Sequence, residues 1–530
     1  MYWVDKTVEE ISAAYAKEIE SKETLIIRDE KTASGRVHVG SLRGVAIHGL
    51  VADVLKEKGV ACKYLFEIND YDPMDGLPVY LDQETFSPYM GRLLCDVPSP
   101  DGKAANFAEF YGMEFAEVIK EIGFEPEYYR SSTLYKNGSY NDAIRMALEG
   151  ADKIREIYKR VSGADKAAGW LPLNVVCENC GKVSTTKATD FDGETVAYAC
   201  YDLDWTKGCG HKARISPFNG TGKLPWKVEW AAKFKILGVH IEGGGKDHST
   251  KGGSREVAEA ISREVFMHEP PFNIPYEFLQ VGGKKMSSSK GKGSSSRDMA
   301  DLLPPEMLRL LLLQKDPMRV IEFDPEGDTM PVLYDSYDKF AVNYFSGNTD
   351  DYSRMFKLIH MPEDRESIVQ RHLPRFSIVA FLAQMPHLDT IKEVEHIVGA
   401  TLGEEDKKEL TKRLHHAKIW IDTYAPEDYK YEMRETLPEN AKDFSDLQKK
   451  ALKDILNFIE EKTKGGKTID GQEFHSELHE MKERLGIEPK ELFEAIYLSI
   501  LGKKSGPKAG WFLSVIDTEW LKKRLEEASA

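Results

Sequence analysis

Short β-branched apolar runs separated by amphipathic stretches dominate the first 70 residues, and the pattern becomes helical throughout only late in the chain. Glu23-Thr-Leu-Ile-Ile-Arg28 has the length and branching of a buried strand. Residues 41–58 set Leu42, Val45, Ala46, Val54 and Leu55 at helical spacing, and Gly59 ends that helix. Val60-Ala-Cys-Lys-Tyr-Leu-Phe-Glu67 reads as the next strand. The unit is β-α-β, so its strands run parallel and its first turn falls at the carboxyl end of a strand, where open α/β sheets bind ligands. Residues 107–122 and 140–161 are patterned as helices, the sheet resumes near Lys223, and residues 276–281 form another short strand. Short helices follow at 298–304, 305–313 and 334–346. Beyond about residue 350 the period is helical, over 410–424, 446–462, 473–485 and 489–501.

The first turn reads Ser34-Gly-Arg-Val-His-Val-Gly-Ser41. Glycines at 35 and 40 let backbone approach a ligand, and a helix opening near Gly40 and Ser41 offers unpaired N–H groups to phosphate. His38 beside them is placed to donate a hydrogen bond to a phosphoryl oxygen as charge builds. By itself the pattern fits an ordinary tight turn better. Far downstream, Gly282-Gly-Lys-Lys-Met-Ser-Ser-Ser-Lys-Gly-Lys-Gly293 gathers lysines among glycines and serines, as a polyphosphate-seeking loop or a solvated basic linker does.

Six cysteines change the picture of the middle of the chain. Cys62 falls within a strand and Cys95 has no partner at useful spacing. The other four, Cys177, Cys180, Cys200 and Cys209, read C-x2-C-x19-C-x8-C, the spacing of a tetrahedral structural zinc site, with His211 an alternative to Cys209 as fourth ligand. Composition adds that 41% hydrophobic and 10% aromatic residues over 530 positions supply real cores. A net charge of −16 excludes a protein that coats nucleic acid without specificity. The first ten residues carry neither a basic leader nor an apolar core, and the strongest apolar run, 308–313, is too short to span a bilayer; a cytoplasmic protein without membrane attachment is expected.

His38-Val-Gly-Ser41 resembles the HIGH signature, and Lys285-Met-Ser-Ser-Ser289 the KMSKS signature, of class I aminoacyl-tRNA synthetases. Ser288 replaces the second lysine and Lys290 follows two positions on, which leaves open whether Lys285 or Lys290 meets the pyrophosphate. The wording of residues 32–44, Lys227-Val-Glu-Trp230, Gly243-Gly-Gly-Lys-Asp-His-Ser249 and 285–291 is similar to the lysyl branch found mainly in archaea. The resemblance implies an α/β fold. A Rossmann-type parallel-sheet catalytic domain would take residues 1–70 and 213–293. A zinc-bearing insertion over 71–212 would touch the acceptor end of tRNA, 294–349 would be a connector, and 350–530 an all-α anticodon-binding domain.

It further implies a monomer that joins L-lysine to tRNA(Lys) through lysyl-adenylate. His38, Gly40, Lys285 and Lys290 would serve the chemistry, and Gly35, Ser41, Asp247, His248 and Ser287 would hold ATP, which brings Mg2+. One zinc is expected rather than two, because Ser99, Lys103, Ala104 and Phe110 stand where relatives can carry a second ligand set. A lysine ammonium entering a buried slot needs a carboxylate and aromatic walls. Glu229, Asp70 and Glu67 are the candidate acids, Trp230, His240 and Tyr276 the candidate walls, and Ser34 a candidate for the α-amino group. Trp511 and Phe512, near Lys503, Lys504 and Lys508, suit stacking on unpaired bases or burial in a core. The alternatives are a class I synthetase for another amino acid, or a tRNA-binding paralogue without catalysis.

Overall fold

The computed structural model describes residues 1–282, 295–385, 388–465 and 467–530. Among these, β1 (Leu25–Thr32) and β2 (Cys62–Asn69) lie parallel, pairing Leu25 with Cys62 and Thr32 with Asn69. β3 (Glu127–Arg130) adds parallel to β2, so the stretch expected as an insertion contributes a strand to the sheet. On the other side of β1, parallel bridges from Ile27 to Ile241 and from Ile241 to Phe272 continue the layer.

The crossover helix Leu42–Glu57 is buried on nearly every face, with Val45, Ile47, Leu50, Val51, Val54 and Leu55 wholly inaccessible. Each such side chain contributes ~1.5–3 kcal/mol relative to exposure. Gly49 is required there, because a Cβ would stand 2.3 Å from the Phe124 ring.

Past Lys223 the chain first makes a helix, Trp226–Leu237, which Gly238 ends at φ +59°; the sheet is rejoined only at Ile241. The strand expected over 276–281 is two pieces. Pro275–Tyr276 pairs with Gly244–Gly245, and Leu279–Val281 pairs with Ile321–Phe323. The helix expected over 140–161 is also two, Asn141–Glu149 and Ala151–Ser162, broken at Gly150. Thr186–Phe191, Val196–Cys200 and Lys212–Ile215 form a separate antiparallel sheet around the cysteines.

The chain divides into two compact units, residues 1–323 with 340–368, and 324–339 with 369–530. In the second, helices run over Glu404–Thr423, Asp446–Lys462, Gly471–Leu485 and Pro489–Leu501. Ser445 with Gln448, and Asp470 with Glu473, form capping boxes that start two of them, and left-handed Gly486 and Gly502 stop two. Phe512 is fully buried in that unit's core, whereas Trp511 stays partly exposed with Lys508 Nζ 4.6 Å over its ring. Among the described residues, no helix is long and apolar enough to cross a membrane.

Candidate active site

The turn after β1 is shaped by Gly35, whose φ of +148° disfavours any side chain. His38 follows in extended conformation, and a single 3-10 turn, Val39–Ser41, leads into the Leu42–Glu57 helix. The helix start expected at Gly40 is therefore a tighter turn. Burial, with the charge of Lys31 beside it, lowers the His38 imidazole to about 3. His38 is thus neutral near pH 7, so a hydrogen bond donated from its ring would carry no full charge.

The unfolded chain takes up this proton near pH 6.5 and the folded chain only near pH 3, so His38 makes stability rise with pH across that window. Lowering the pH from 7 to 4 is expected to lower the thermal midpoint more in the natural chain than in His38→Gln. Parallel melting curves would remove this contribution.

Ser295 bridges the His38 backbone, and Ser296 donates both its N–H and its hydroxyl to Val37 O, at 2.8 and 3.0 Å. With Asp298, Ser295 caps the helix Ser296–Leu302. The chain thus returns beside His38 directly after residue 294. Lys285, Ser287 and Lys290 lie outside the described residues.

A cavity of about 530 Å³ opens at this end of the sheet. It gathers His38, Gly40, Ser41, Glu229, Trp230, Asp247, His248 and Tyr276 from the sequence expectations. Edge-on contacts of His248 with Trp226 and Trp230, at 5.3 and 6.0 Å, build an aromatic wall. Five expected residues fall elsewhere, Glu67 among them in the charge cluster described below. Ser34 lines an adjoining cavity of about 470 Å³ that shares Thr32, Asp72 and Trp226 with the first. Asp70 accepts from Ser132 N at 2.8 Å and from its hydroxyl. His240 is spent on the sheet, its Nδ1 accepting from Ile26 N at 3.1 Å. Gly35 shapes the turn without lining the cavity.

Behind the aromatic wall lies a buried charge cluster. Arg28, wholly inaccessible on β1, donates to Glu67 at 2.5 Å, to Glu242 at 2.6 Å and to Glu30. Lys233 meets Glu67 and Glu30 at 2.8 Å each, and Lys223 meets Glu229 at 2.5 Å and Asp72 at 3.0 Å. Glu67 is consumed by these contacts. Burial opposes its charge, and Lys233 and Arg28 outweigh burial, holding the carboxyl below the usual range.

Five carboxylates thus face three cations, which leaves the cluster acidic. Among the described residues, Glu229 Oε1 and Glu242 Oε2 are buried without a hydrogen-bond partner. Burial raises both carboxyls above the ordinary value, with Lys223 pulling Glu229 back and Arg28 pulling Glu242 back. An unpaired buried carboxylate oxygen beside a cavity is a receptor for a cation. Glu242, Lys233, Lys223 and Asp72 were not among the sequence candidates. The signal for Lys233 was its place four residues after Glu229 on a helix, and for Glu242 its place directly before the Gly243 turn.

In the small antiparallel sheet, the sulfurs of Cys177, Cys180, Cys200 and Cys209 lie within 4.8 Å of one another. Cys177 to Cys209 is 3.6 Å and Cys180 to Cys200 is 3.8 Å. A tetrahedron with ~2.3 Å metal–sulfur bonds has edges of ~3.8 Å, so the set fits a thiophilic cation. Cys209 N–H and the Thr185 hydroxyl reach Cys200 Sγ at 3.3 and 3.1 Å, contacts that steady a thiolate. His211 stands apart, its Nε2 4.0 Å from Glu178.

A parallel sheet with a histidine-bearing glycine turn over a polar cavity, in a chain that continues into a helical unit, is the layout of a class I tRNA synthetase. Residues 1–363 match the family model described as tRNA synthetases class I (K), and residues 407–529 match an anticodon binding domain. A lysine–tRNA ligase of Methanosarcina barkeri is 35% identical, covering 100% of this chain and 98% of its own. Lysine–tRNA ligase 1 of Methanosarcina acetivorans is 33% identical over the same shares, and the Archaeoglobus fulgidus lysine–tRNA ligase 31% identical over 93% and 94%. The chain belongs to the lysine family of class I tRNA synthetases.

Proposed function

We propose that this protein is a lysine–tRNA ligase that forms lysyl-adenylate from L-lysine and MgATP and passes the lysyl group to the 3′ end of tRNA(Lys). The observation that carries the lysine assignment is the buried Glu229 Oε1, without a partner among the described residues and set in the cavity wall beside Trp230. The side-chain ammonium docks there, with Glu242 adding to the attraction and Trp226 and Trp230 covering the alkyl stem.

The lysine carboxylate attacks the α-phosphate, His38 donates to a phosphoryl oxygen, and Asp247 and His248 hold the nucleoside. Lys285 and Lys290 neutralise the departing pyrophosphate. Residues 1–70 and 213–293 form the catalytic domain in this reading, with the strand Glu127–Arg130 added to its sheet from within 71–212. Residues 71–212 meet the acceptor end, with Tyr201 and Trp205 exposed and Lys187 Nζ 5.5 Å over Tyr201, a combination suited to stacking on unpaired nucleotides. Residues 294–349 connect, and 350–530 bind the anticodon, where Trp511 and Lys508 offer a similar pair. The protein works as a cytoplasmic monomer.

Lysine-dependent exchange of labelled pyrophosphate into ATP, measured with and without tRNA across the twenty amino acids, tests the reading. Exchange or charging with lysine alone supports it, and selection of another amino acid overturns it.

The cysteine set holds a single structural Zn2+, which ties the two knuckles of the small sheet together. Metal analysis is expected to find one zinc per chain and to lose it in Cys180→Ser. Retention of zinc by that variant would overturn the ligand set.

A further inference from the structure

His48 lies two turns into the Leu42–Glu57 helix and is wholly inaccessible, yet both ring nitrogens are engaged with residues that line the cavity or the helix itself. Nδ1 is 2.8 Å from Gly44 O and 3.2 Å from Asp29 Oδ2. Nε2 is 2.7 Å from Gly243 N. The first two partners only accept and the third only donates, so a single protonation pattern satisfies all three: the proton sits on Nδ1 and Nε2 is an acceptor.

We infer that His48 is a positioning residue for the nucleotide side of the cavity, fixing the Gly243-Gly-Gly245 turn relative to the His38 turn. The inference rests on the proposed ATP-dependent reaction. The two walls come from sequence segments far apart, and the second has no side chains of its own to anchor it. Gly243 is hemmed in, since a Cβ would lie 2.3 Å from Ile274 O and 3.0 Å from His48 Nε2. Its N–H is spent on His48, while Gly244 and Gly245 pair with Pro275–Tyr276 and face the cavity.

One turn before His48, Gly44 leaves room for two more lining groups. A Cβ there would meet the Tyr276 hydroxyl at 2.7 Å and Asp29 Oδ2 at 3.0 Å. The helix that opens at the His38 turn therefore also sets Asp29, Tyr276 and Gly243. A rigid helix holding both walls preserves the spacing that a nucleotide bridging them needs.

His48→Leu fills the space and removes the acceptor, His48→Asn keeps reach toward Gly44 and Asp29 but not toward Gly243, and His48→Gln restores an acceptor near Nε2. In lysine-dependent pyrophosphate exchange, Leu and Asn are expected to raise KM for ATP by ~10- to 100-fold, the scale of one lost buried hydrogen bond. KM for lysine stays close to that of the natural chain, and Gln recovers most of the loss. Equal changes in both KM values, no change in either, or a Gln variant no better than Asn would overturn the inference. If the Leu variant fails to fold, the Asn and Gln pair decides. A natural chain without lysine-dependent exchange would defeat the proposed function instead, and ATP binding measured calorimetrically across the same variants then decides the role of His48 by itself.

Discussion

Replacing His38 by alanine is expected to slow lysyl-adenylate formation by ~10²–10³-fold, the usual effect of removing one donor aimed at charge that develops only in the transition state. The loss falls on turnover more than on KM for ATP. The imidazole is held neutral by burial and by Lys31, so in the proposed role a bond from it to the ground-state triphosphate would be modest and would tighten as the phosphoryl oxygens gain charge. Single-turnover adenylate formation with saturating ATP and lysine is the measurement. Truncation spares the backbone links that fix the turn, among them Ser296 N to Val37 O at 2.8 Å, so the fold is expected to persist. Unchanged adenylate formation would remove His38 from the mechanism.

Glu229→Gln is expected to lower kcat/KM for lysine by ~10²–10³-fold, because a desolvated ammonium that loses its countercharge forfeits several kcal/mol. Glutamine has the same size and keeps a polar group facing Lys223, which retains Asp72 at 3.0 Å. The fold therefore tolerates the change better than it would alanine. Steady-state exchange at varied lysine and fixed saturating ATP separates this from a general loss, since KM for ATP is expected to hold. An unaltered lysine dependence would shift the assignment to Glu242, whose Oε2 also lacks a partner among the described residues. The same experiment therefore orders the two acids.

The β-α-β start was legible because its signals are local: β1, the Leu42–Glu57 helix and β2 each begin within two residues of the expected start, although β1 runs four residues past Arg28. The helices Asp446–Lys462 and Pro489–Leu501 were also plain, the first amphipathic and started by a capping box, the second opened by a proline and closed by a left-handed glycine. Trp226–Leu237 was not. Val228, Trp230, Ala231, Ala232 and Phe234 are buried together with Glu229 and Lys233, so no polar face marks a helical period. The cysteine spacing announced its cluster, since four thiols at knuckle spacing need little else to be read.

The acids could not be ranked from sequence for a different reason. The partners of Arg28 lie 39 and 214 positions away at Glu67 and Glu242, and only the folded sheet decides which carboxylates are neutralised and which keep an open oxygen. His240 shows the reverse error. Its neighbourhood to the glycine turn suggested a pocket wall, but the ring faces back to the β1 backbone.

The Arg28 cluster also bears on how readily this pocket can be retargeted. Glu30, Glu67, Glu229 and Glu242 share Arg28, Lys223 and Lys233 among them, so neutralising any one acid disturbs the partners of the others. A stepwise route to a neutral or acidic amino acid passes through intermediates with an unmatched interior charge, each costing several kcal/mol. In the proposed lysine site, substrate preference is then a property of the whole ensemble of charges, and directed evolution toward another amino acid is expected to need compensating changes in pairs.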